Sequence, residues 1–225
     1  MSCSCSRTVI TLPSSRESFN LSNNEREDLI IKANNGDTGA CRRLAEYYSF
    51  IESNEPKENF WLRKGAELGD TIAQWNLSFN LIESKNISDQ QEAILWLTKA
   101  AEKNHIYSCL RLAEIYESGK ITERDLSLAK KYYKKASVMG NVTAVENLSD
   151  LYFEGKGCAP DKPKAFALLS FAKTLLDKRS VRFQEINNKQ KSMHLSEAEK
   201  KQAKLELDIL VEAYSKKQKE KESKY

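Results

Sequence analysis

The stretch Lys99-Ala-Ala-Glu-Lys-Asn-His105 has three counterparts in the chain, and this repetition decides the fold. Lys64-Gly-Ala-Glu-Leu-Gly-Asp70 and Lys135-Ala-Ser-Val-Met-Gly-Asn141 share its pattern, and Lys32-Ala-Asn-Asn-Gly-Asp37 is a copy that is one residue shorter. The Gly or Asn near the end of each copy serves as an anchor, and the anchors are Gly36, Gly69, Asn104 and Gly140. Successive anchors are 33, 35 and 36 residues apart, a period typical of solenoids built from pairs of helices.

The residues that follow each anchor repeat as well. A small residue stands four positions after the anchor, a Leu eight after, another small residue nine after, and Tyr or Leu twelve after. The four sets are Ala40, Leu44, Ala45, Tyr48; Ala73, Leu77, Ser78, Leu81; Ser108, Leu112, Ala113, Tyr116; and Ala144, Leu148, Ser149, Tyr152. These offsets share one face of an α-helix. We therefore predict one buried helix after each anchor and call it the A helix of its repeat.

A second helix, the B helix, is predicted in the other half of each repeat. Large apolar residues stand eight positions before the next anchor or at the matching place, namely Trp61, Trp96, Tyr132 and Leu168. Side chains that accept hydrogen bonds from free backbone N–H groups stand ahead of them, at Asn54, Asp89, Asp125 and Asp161, and these residue types favour helix N-caps. Pro56 and Pro163 follow two of these caps within the first helical turn, where proline is tolerated.

The ends of the chain lack the repeat. We expect residues 1–21 to be disordered because they are Ser-rich and aperiodic, and we place the solenoid at 22–176, where Ser22 and Glu25 form a capping-box pattern. The last B helix is expected to continue through Ile186. Residues 177–214 then form an extension whose final helix covers the last repeat with the stripe Ala203, Leu207, Leu210, Val211 and Tyr214. Residues 215–225 are expected to form a flexible polar tail.

At the last repeat, Tyr152-Phe-Glu-Gly-Lys-Gly-Cys-Ala-Pro-Asp-Lys-Pro-Lys-Ala165 resembles the signature of Sel-1-like repeats, which are relatives of tetratricopeptide repeats. The resemblance covers roughly residues 25–176. It implies an all-α protein, a right-handed α-α solenoid of about four helix-turn-helix repeats with a C-terminal capping helix. The first two repeats lack the Gly-x-Gly loop of the family, and the third keeps only Gly119, so we expect those loops to differ from the family pattern.

Composition narrows the class of protein. Hydrophobic residues make up 40% of the 225 residues and charged residues 30%, so a packed core is expected. We expect no stable membrane insertion because no apolar run approaches the ~18 residues of a membrane-spanning helix. The start of the chain shows no apolar signal-peptide region, so we expect a cytoplasmic protein with reduced cysteines, Cys3 and Cys5 included. Translocation by a secretion system that needs no signal peptide is the alternative.

Chemistry-bearing motifs are sparse. Some relatives of the family bind or hydrolyse β-lactams, and Ser127-Leu-Ala-Lys130 and Ser170-Phe-Ala-Lys173 both match the Ser-x-x-Lys pattern of such enzymes. Because its companion motifs are missing, we interpret both as surface positions and predict no catalytic, cofactor-binding or metal-binding residues. RNA binding is a rival, since some RNA-reading solenoids use similar helix pairs. Residues 1–175 carry equal numbers of basic and acidic residues, so we expect no nucleic-acid partner.

The resemblance implies a non-enzymatic adaptor or scaffold that binds a protein or peptide in the concave groove formed by its A helices. The alternative is a bacterial secreted effector that acts on host proteins through the same repeats. The offsets not used by the core predict a groove that is apolar in the middle and acidic towards its C-terminal half, which suits a basic, amphipathic partner. The predicted groove residues are Arg42, Glu46, Ile72, Trp75, Phe79, Ile82, Tyr107, Leu110, Glu114, Glu117, Glu146, Asp150 and Phe153.

Overall fold

The computed structural model describes residues 16–223, and within this stretch all regular structure is helical, which confirms the all-α prediction. A short 3-10 helix, Arg16–Phe19, comes before eleven α-helices. The first six are α1 (Asn23–Asn34), α2 (Thr38–Phe50), α3 (Glu55–Glu67), α4 (Thr71–Ile82), α5 (Ile87–Glu102) and α6 (Ile106–Ser118). The others are α7 (Leu126–Ser137), α8 (Val142–Glu154), α9 (Lys162–Thr174), α10 (Val181–Lys191) and α11 (Glu197–Glu222).

Each A helix (α2, α4, α6 and α8) begins two positions after a residue in the left-handed region of backbone space. The anchors Gly36, Gly69, Asn104 and Gly140 all have positive φ, and Asn104 takes φ +63° without being a glycine. The next residue caps the A helix, and these four caps are Asp37, Asp70, His105 and Asn141. Each A helix is therefore preceded by a left-handed turn and an N-cap, and the N-cap is a second sequence signal for the start of the helix.

The predicted A-helix core is buried at most positions. The Leu at offset eight is buried in each repeat, and so are the small residues at offsets four and nine. Tyr116 and Tyr152 at offset twelve are only half-buried. Tyr116 stacks on Tyr132 of α7 with ring centroids 6.0 Å apart and planes inclined by 4°, so this aromatic pair lies at the edge of the core.

The described chain divides into two compact units, of which the first ends at Ser84. In this unit α2 packs against α1 and α3, and α3 packs against α4. Phe19 is buried against Phe50, with ring centroids 4.4 Å apart, and Arg43 Nη2 donates a hydrogen bond to the Ser18 carbonyl at 2.6 Å. Residues 16–19 thus pack on α2, which differs from the expected disorder, whereas residues 1–15, with Cys3 and Cys5, lie outside the described residues.

The second unit starts at Lys85 and contains α5 to α11. Its helices pack mainly in sequence order, with α10 and α11 both on α9. One predicted N-cap is wrong in this unit. The Asn86 side chain caps α5 by accepting from the Ser88 N–H at 2.9 Å, so the helix begins earlier and Asp89 lies in its first turn.

The C-terminal region contains two helices after the last repeat. The predicted continuation of the last B helix is wrong, because α9 ends at Thr174 and α10 starts anew after the N-cap Ser180. The Ser196–Glu199 capping box is present, and α11 lies on α9 with Tyr214 against Phe171 at 5.6 Å between ring centroids. Helix α11 continues to Glu222, so most of the segment predicted as a flexible tail is helical.

Candidate functional site

In the first unit, the predicted groove residues lie on α2 and α4. Arg42 forms an ion pair within the chain, with its Nε 2.9 Å from Oδ2 of Asp70, the N-cap of α4. Glu46 pairs with Arg43 at 3.6 Å on the same helix. Ile72, Trp75 and Phe79 are half-buried.

Ile82 does not line a groove. Its side chain is 5% exposed, and the neighbouring Leu81 is buried as well. The prediction that Ile82 lines the groove is therefore wrong.

In the second unit, two predicted residues come together in an open cleft of about 400 Å³ between α6, α7 and α8. We call it the α6–α8 cleft, and its lining residues are Glu114, Glu117, Ser118, Arg124, Tyr133 and Asn147. Tyr107, at the start of α6, is 40% exposed, and Leu110 on the same helix is half-buried. Phe153, in the last turn of α8, is 38% exposed.

A hydrogen-bonded group forms the floor of the α6–α8 cleft. The Tyr133 hydroxyl donates to Glu117 Oε2 at 2.7 Å and accepts from Asn147 Nδ2 at 3.2 Å. Burial and the neighbouring Glu117 carboxylate raise the pKa of the Tyr133 phenol, so it stays protonated and fixes the Glu117 carboxylate in place. Arg124 Nε also donates to the Glu117 carbonyl at 2.9 Å, which holds the rim.

Glu114 lies beside this group in a less favourable environment. Burial raises the pKa of its carboxyl group, although Arg111 Nη1 lies 3.4 Å from Oε2 and acts in the opposite direction. The raised pKa means that the folded chain stabilises the ionised carboxylate less well than water does.

The other two predicted acidic residues are already paired within the chain. Arg182 of α10 forms an ion pair with Glu146 of α8, with Nε 3.1 Å from Oε2, and Lys189 of α10 pairs with Asp150. The acidic half of the predicted groove is thus partly neutralised by a basic helix of the same molecule. A separate helix α10 was not predicted, although Arg182 and Lys189 stand two helical turns apart and indicate a charged face.

The two Ser-x-x-Lys pairs have structural contacts. Ser170 Oγ donates to the Phe166 carbonyl at 3.0 Å and accepts from Gln190 Nε2 at 2.7 Å, and Lys173 Nζ donates to Gln190 Oε1 at 3.0 Å. Lys130 Nζ donates to the Gly157 carbonyl at 2.7 Å, while Ser127 is exposed. Between residues 16 and 223, His, Cys, Asp and Glu form no group of three that could hold a metal ion. No helix in the same stretch has the length and hydropathy to cross a membrane.

Comparison with known families explains the repeat. The sequence pattern of the Sel1 repeat matches residues 38–70, 71–105, 106–141 and 143–175, which together make up more than half of the chain. The chain belongs to the Sel1 repeat family. Each matched Sel1 repeat contains one A helix and the B helix that follows it, in the order α2–α3, α4–α5, α6–α7 and α8–α9.

Relatives and solved structures agree with this assignment. The chain is 29% identical over 132 residues to the Sel1-repeat-containing protein YjcO of Escherichia coli K12, covering 59% of this chain and 56% of YjcO. It is 32% identical over 111 residues to mouse DAP3-binding cell death enhancer 1, covering 49% of this chain and 21% of that protein. The chain thus spans only about half the length of YjcO, and less of the mouse protein.

Two solved structures share the fold. The protective antigen c5321 of uropathogenic Escherichia coli, described as displaying an SLR fold, matches with a TM-score of 0.68 and 25% identity over 87% of this chain and 43% of that one. A Sel1 repeat protein from Oxalobacter formigenes matches with a TM-score of 0.61 and 25% identity, over 68% of this chain and 65% of its own. Sel1 repeats generally mediate protein–protein interactions, and their fold is typically a non-enzymatic scaffold.

Proposed function

We propose that this Sel1 repeat protein is a non-enzymatic adaptor that binds a protein or peptide partner through the A helices of its second unit. The α6–α8 cleft carries the proposal, because it is open to solvent and places the Glu114 and Glu117 carboxylates side by side. A protein partner is supported by the general role of Sel1 repeats and by the mouse relative, whose name describes a DAP3-binding protein.

The partner that fits the cleft presents a cationic side chain. The hydrogen bond from Tyr133 holds Glu117 in place before binding, so little side-chain freedom is lost when a lysine or arginine docks there. Glu114 is poorly stabilised in the free protein, and a cation beside it would favour its ionised form. Tyr107, two helical turns before Glu114 on the same helix, is 40% exposed and offers an aromatic contact outside the cleft.

The test compares partner capture by purified wild-type protein and by the variant E114K/E117Q. The glutamine keeps an oxygen that accepts from Tyr133, so the floor of the cleft survives while the charge changes. We expect proteins that bind the wild type to be depleted at least tenfold on the variant, as measured by quantitative mass spectrometry.

The matched control is E67K/E102Q, which makes the same charge change at exposed positions on the B helices α3 and α5. We expect it to capture the same proteins as the wild type. Equal capture by E114K/E117Q and the control, with both proteins folded by circular dichroism, would show that partners use another surface.

A further inference from the structure

Helix α10 packs on α9, and two of its basic side chains reach the part of α8 that the repeat pattern assigns to partner binding. Arg182 reaches two α8 residues, through the ion pair with Glu146 and a hydrogen bond from its Nη2 to Thr143 Oγ1 at 2.9 Å. Lys189 pairs with Asp150 one turn further along α8. Thr143, Glu146 and Asp150, which we call the α8 face, are therefore contacted by basic side chains from a helix of the same chain.

The ion pairs between α10 and α8 are weak enough to be replaced by ion pairs with a partner. The Arg182 and Lys189 side chains remain 40% and 39% exposed in their ion pairs, and ion pairs so accessible to water contribute little to stability. The helix has 11 residues and includes two adjacent asparagines, so it is too short and too weak in helix propensity to persist alone. The helix α10 therefore stays folded only while it is packed against the rest of the chain.

The buried side of α10 packs against α9 through apolar and hydrogen-bonded side chains. Ile186 is 2% exposed, and buried Gln190 donates from Nε2 to the Phe166 carbonyl of α9 at 3.0 Å. Ile186 lies between Arg182 and Lys189 in the helix, at spacings of four and three residues that place all three on one face. A helix recognised here thus combines one apolar residue with a cation one turn before it and another one turn after it.

We propose that the α8 face is a helix-binding surface, that α10 occupies it as an internal ligand, and that a basic amphipathic helix of a partner protein displaces α10. The inference rests on the proposed function and names the kind of segment that the partner supplies. It also explains why a groove predicted to be acidic is neutral at this end, since the chain covers the site until a competing helix arrives.

The first experiment measures hydrogen–deuterium exchange of the α10 amides in the full chain. In the variant R182E/K189E, we expect these amides to exchange at least tenfold faster than in the wild type. The control K178E/R179E makes the same charge change just before the helix, where neither side chain contacts α8, and should exchange like the wild type. Adding E146K and D150K to R182E/K189E reverses both ion pairs and should restore slow exchange.

The second experiment adds a fluorescent peptide of residues 178–194 to each full-length protein and follows anisotropy. We expect R182E/K189E, with its own α10 released, to bind the peptide at least tenfold more tightly than the wild type or K178E/R179E. The fourfold variant with E146K and D150K should lose this binding, because its α8 face now repels the basic peptide.

Two results would overturn the inference. Slow α10 exchange in R182E/K189E would mean that α10 stays docked even when its charges are repelled by Glu146 and Asp150, so a competing helix could not displace it. If α10 is released in R182E/K189E but the peptide does not bind, the α8 face does not accept a helix from outside. Neither result affects the α6–α8 cleft, whose role is measured separately by partner capture with E114K/E117Q.

Discussion

Leu112 shows what one residue of the repeat contributes. It occupies offset eight in α6, is fully buried, and contacts the interior of the second unit through its whole side chain. Replacement by alanine leaves a cavity where the γ and δ carbons were, so we expect L112A to lower the free energy of unfolding by about 2–5 kcal/mol. Urea denaturation followed by circular dichroism measures this change.

Leu95 provides the matched control, since it is a leucine of the same unit that is 51% exposed on α5. L95A should change the free energy of unfolding by less than about 0.5 kcal/mol. A cost for L112A as small as that for L95A would contradict the repeat alignment itself, because that alignment places Leu112 in the core.

His105 makes stability depend on pH. It caps α6 in the position that Asp37, Asp70 and Asn141 hold in the other repeats, and its Nδ1 accepts from the Ser108 N–H at 3.3 Å. Only the neutral ring can accept this bond, and burial lowers the pKa of His105 below its ordinary value of 6.5. The unfolded chain therefore takes up the proton more readily, and the contribution of this cap is lost as pH falls below about 6.5.

The variant H105N keeps an N-cap that does not titrate. We expect its stability relative to the wild type to increase between pH 7.5 and pH 5.5, as measured by urea denaturation at both values. All other ionisable groups are present in both proteins, so their effects cancel in the comparison. A difference independent of pH would mean that folding leaves the pKa of the His105 ring unchanged.

At the scale of helices, α11 acts on α9 rather than on a repeat of its own. Its Tyr214 covers Phe171, which is only 1% exposed in the intact chain. Ending the chain at Leu195 would expose this ring and its neighbours, and we expect the melting temperature to fall by roughly 5–10 °C with increased binding of a hydrophobic dye. Ending it at Ser215 keeps Tyr214 and should change the melting temperature by less than about 2 °C. Equal melting of both truncated proteins would show that α11 does not cap the last repeat.

Helix boundaries were predictable where the repeat supplied several copies to compare. The N-caps Asn54, Asp125 and Asp161 were placed correctly because each precedes its B helix by the same interval. Asp89 shares that interval, but Asn86 stands three residues earlier and offers an equally good acceptor, so α5 gains an extra turn. After Thr174 no copy was available, and the apolar spacing from α9 into α10 concealed the break between them.

At the scale of the molecule, the sequence predicts the fold but only part of the candidate site. A period of 33 to 36 residues identified helix pairs, because each pair buries the same face against its neighbours. The position of Glu114 and Glu117 on one side of α6 also followed from helical spacing. The ion pairs of Glu146 and Asp150 did not, because their partners lie 36 and 39 residues away on a helix outside the repeat.

The left-handed turn at each anchor has a consequence for how such a chain can change over generations. Every pair of helices starts from the same backbone geometry followed by an N-cap residue. A gene segment that encodes one pair can therefore be duplicated or deleted without disturbing the junctions on either side. Unequal recombination between copies would then lengthen or shorten the protein in whole steps. Asn104, which adopts this geometry without being a glycine, shows that a second residue type can form the same junction.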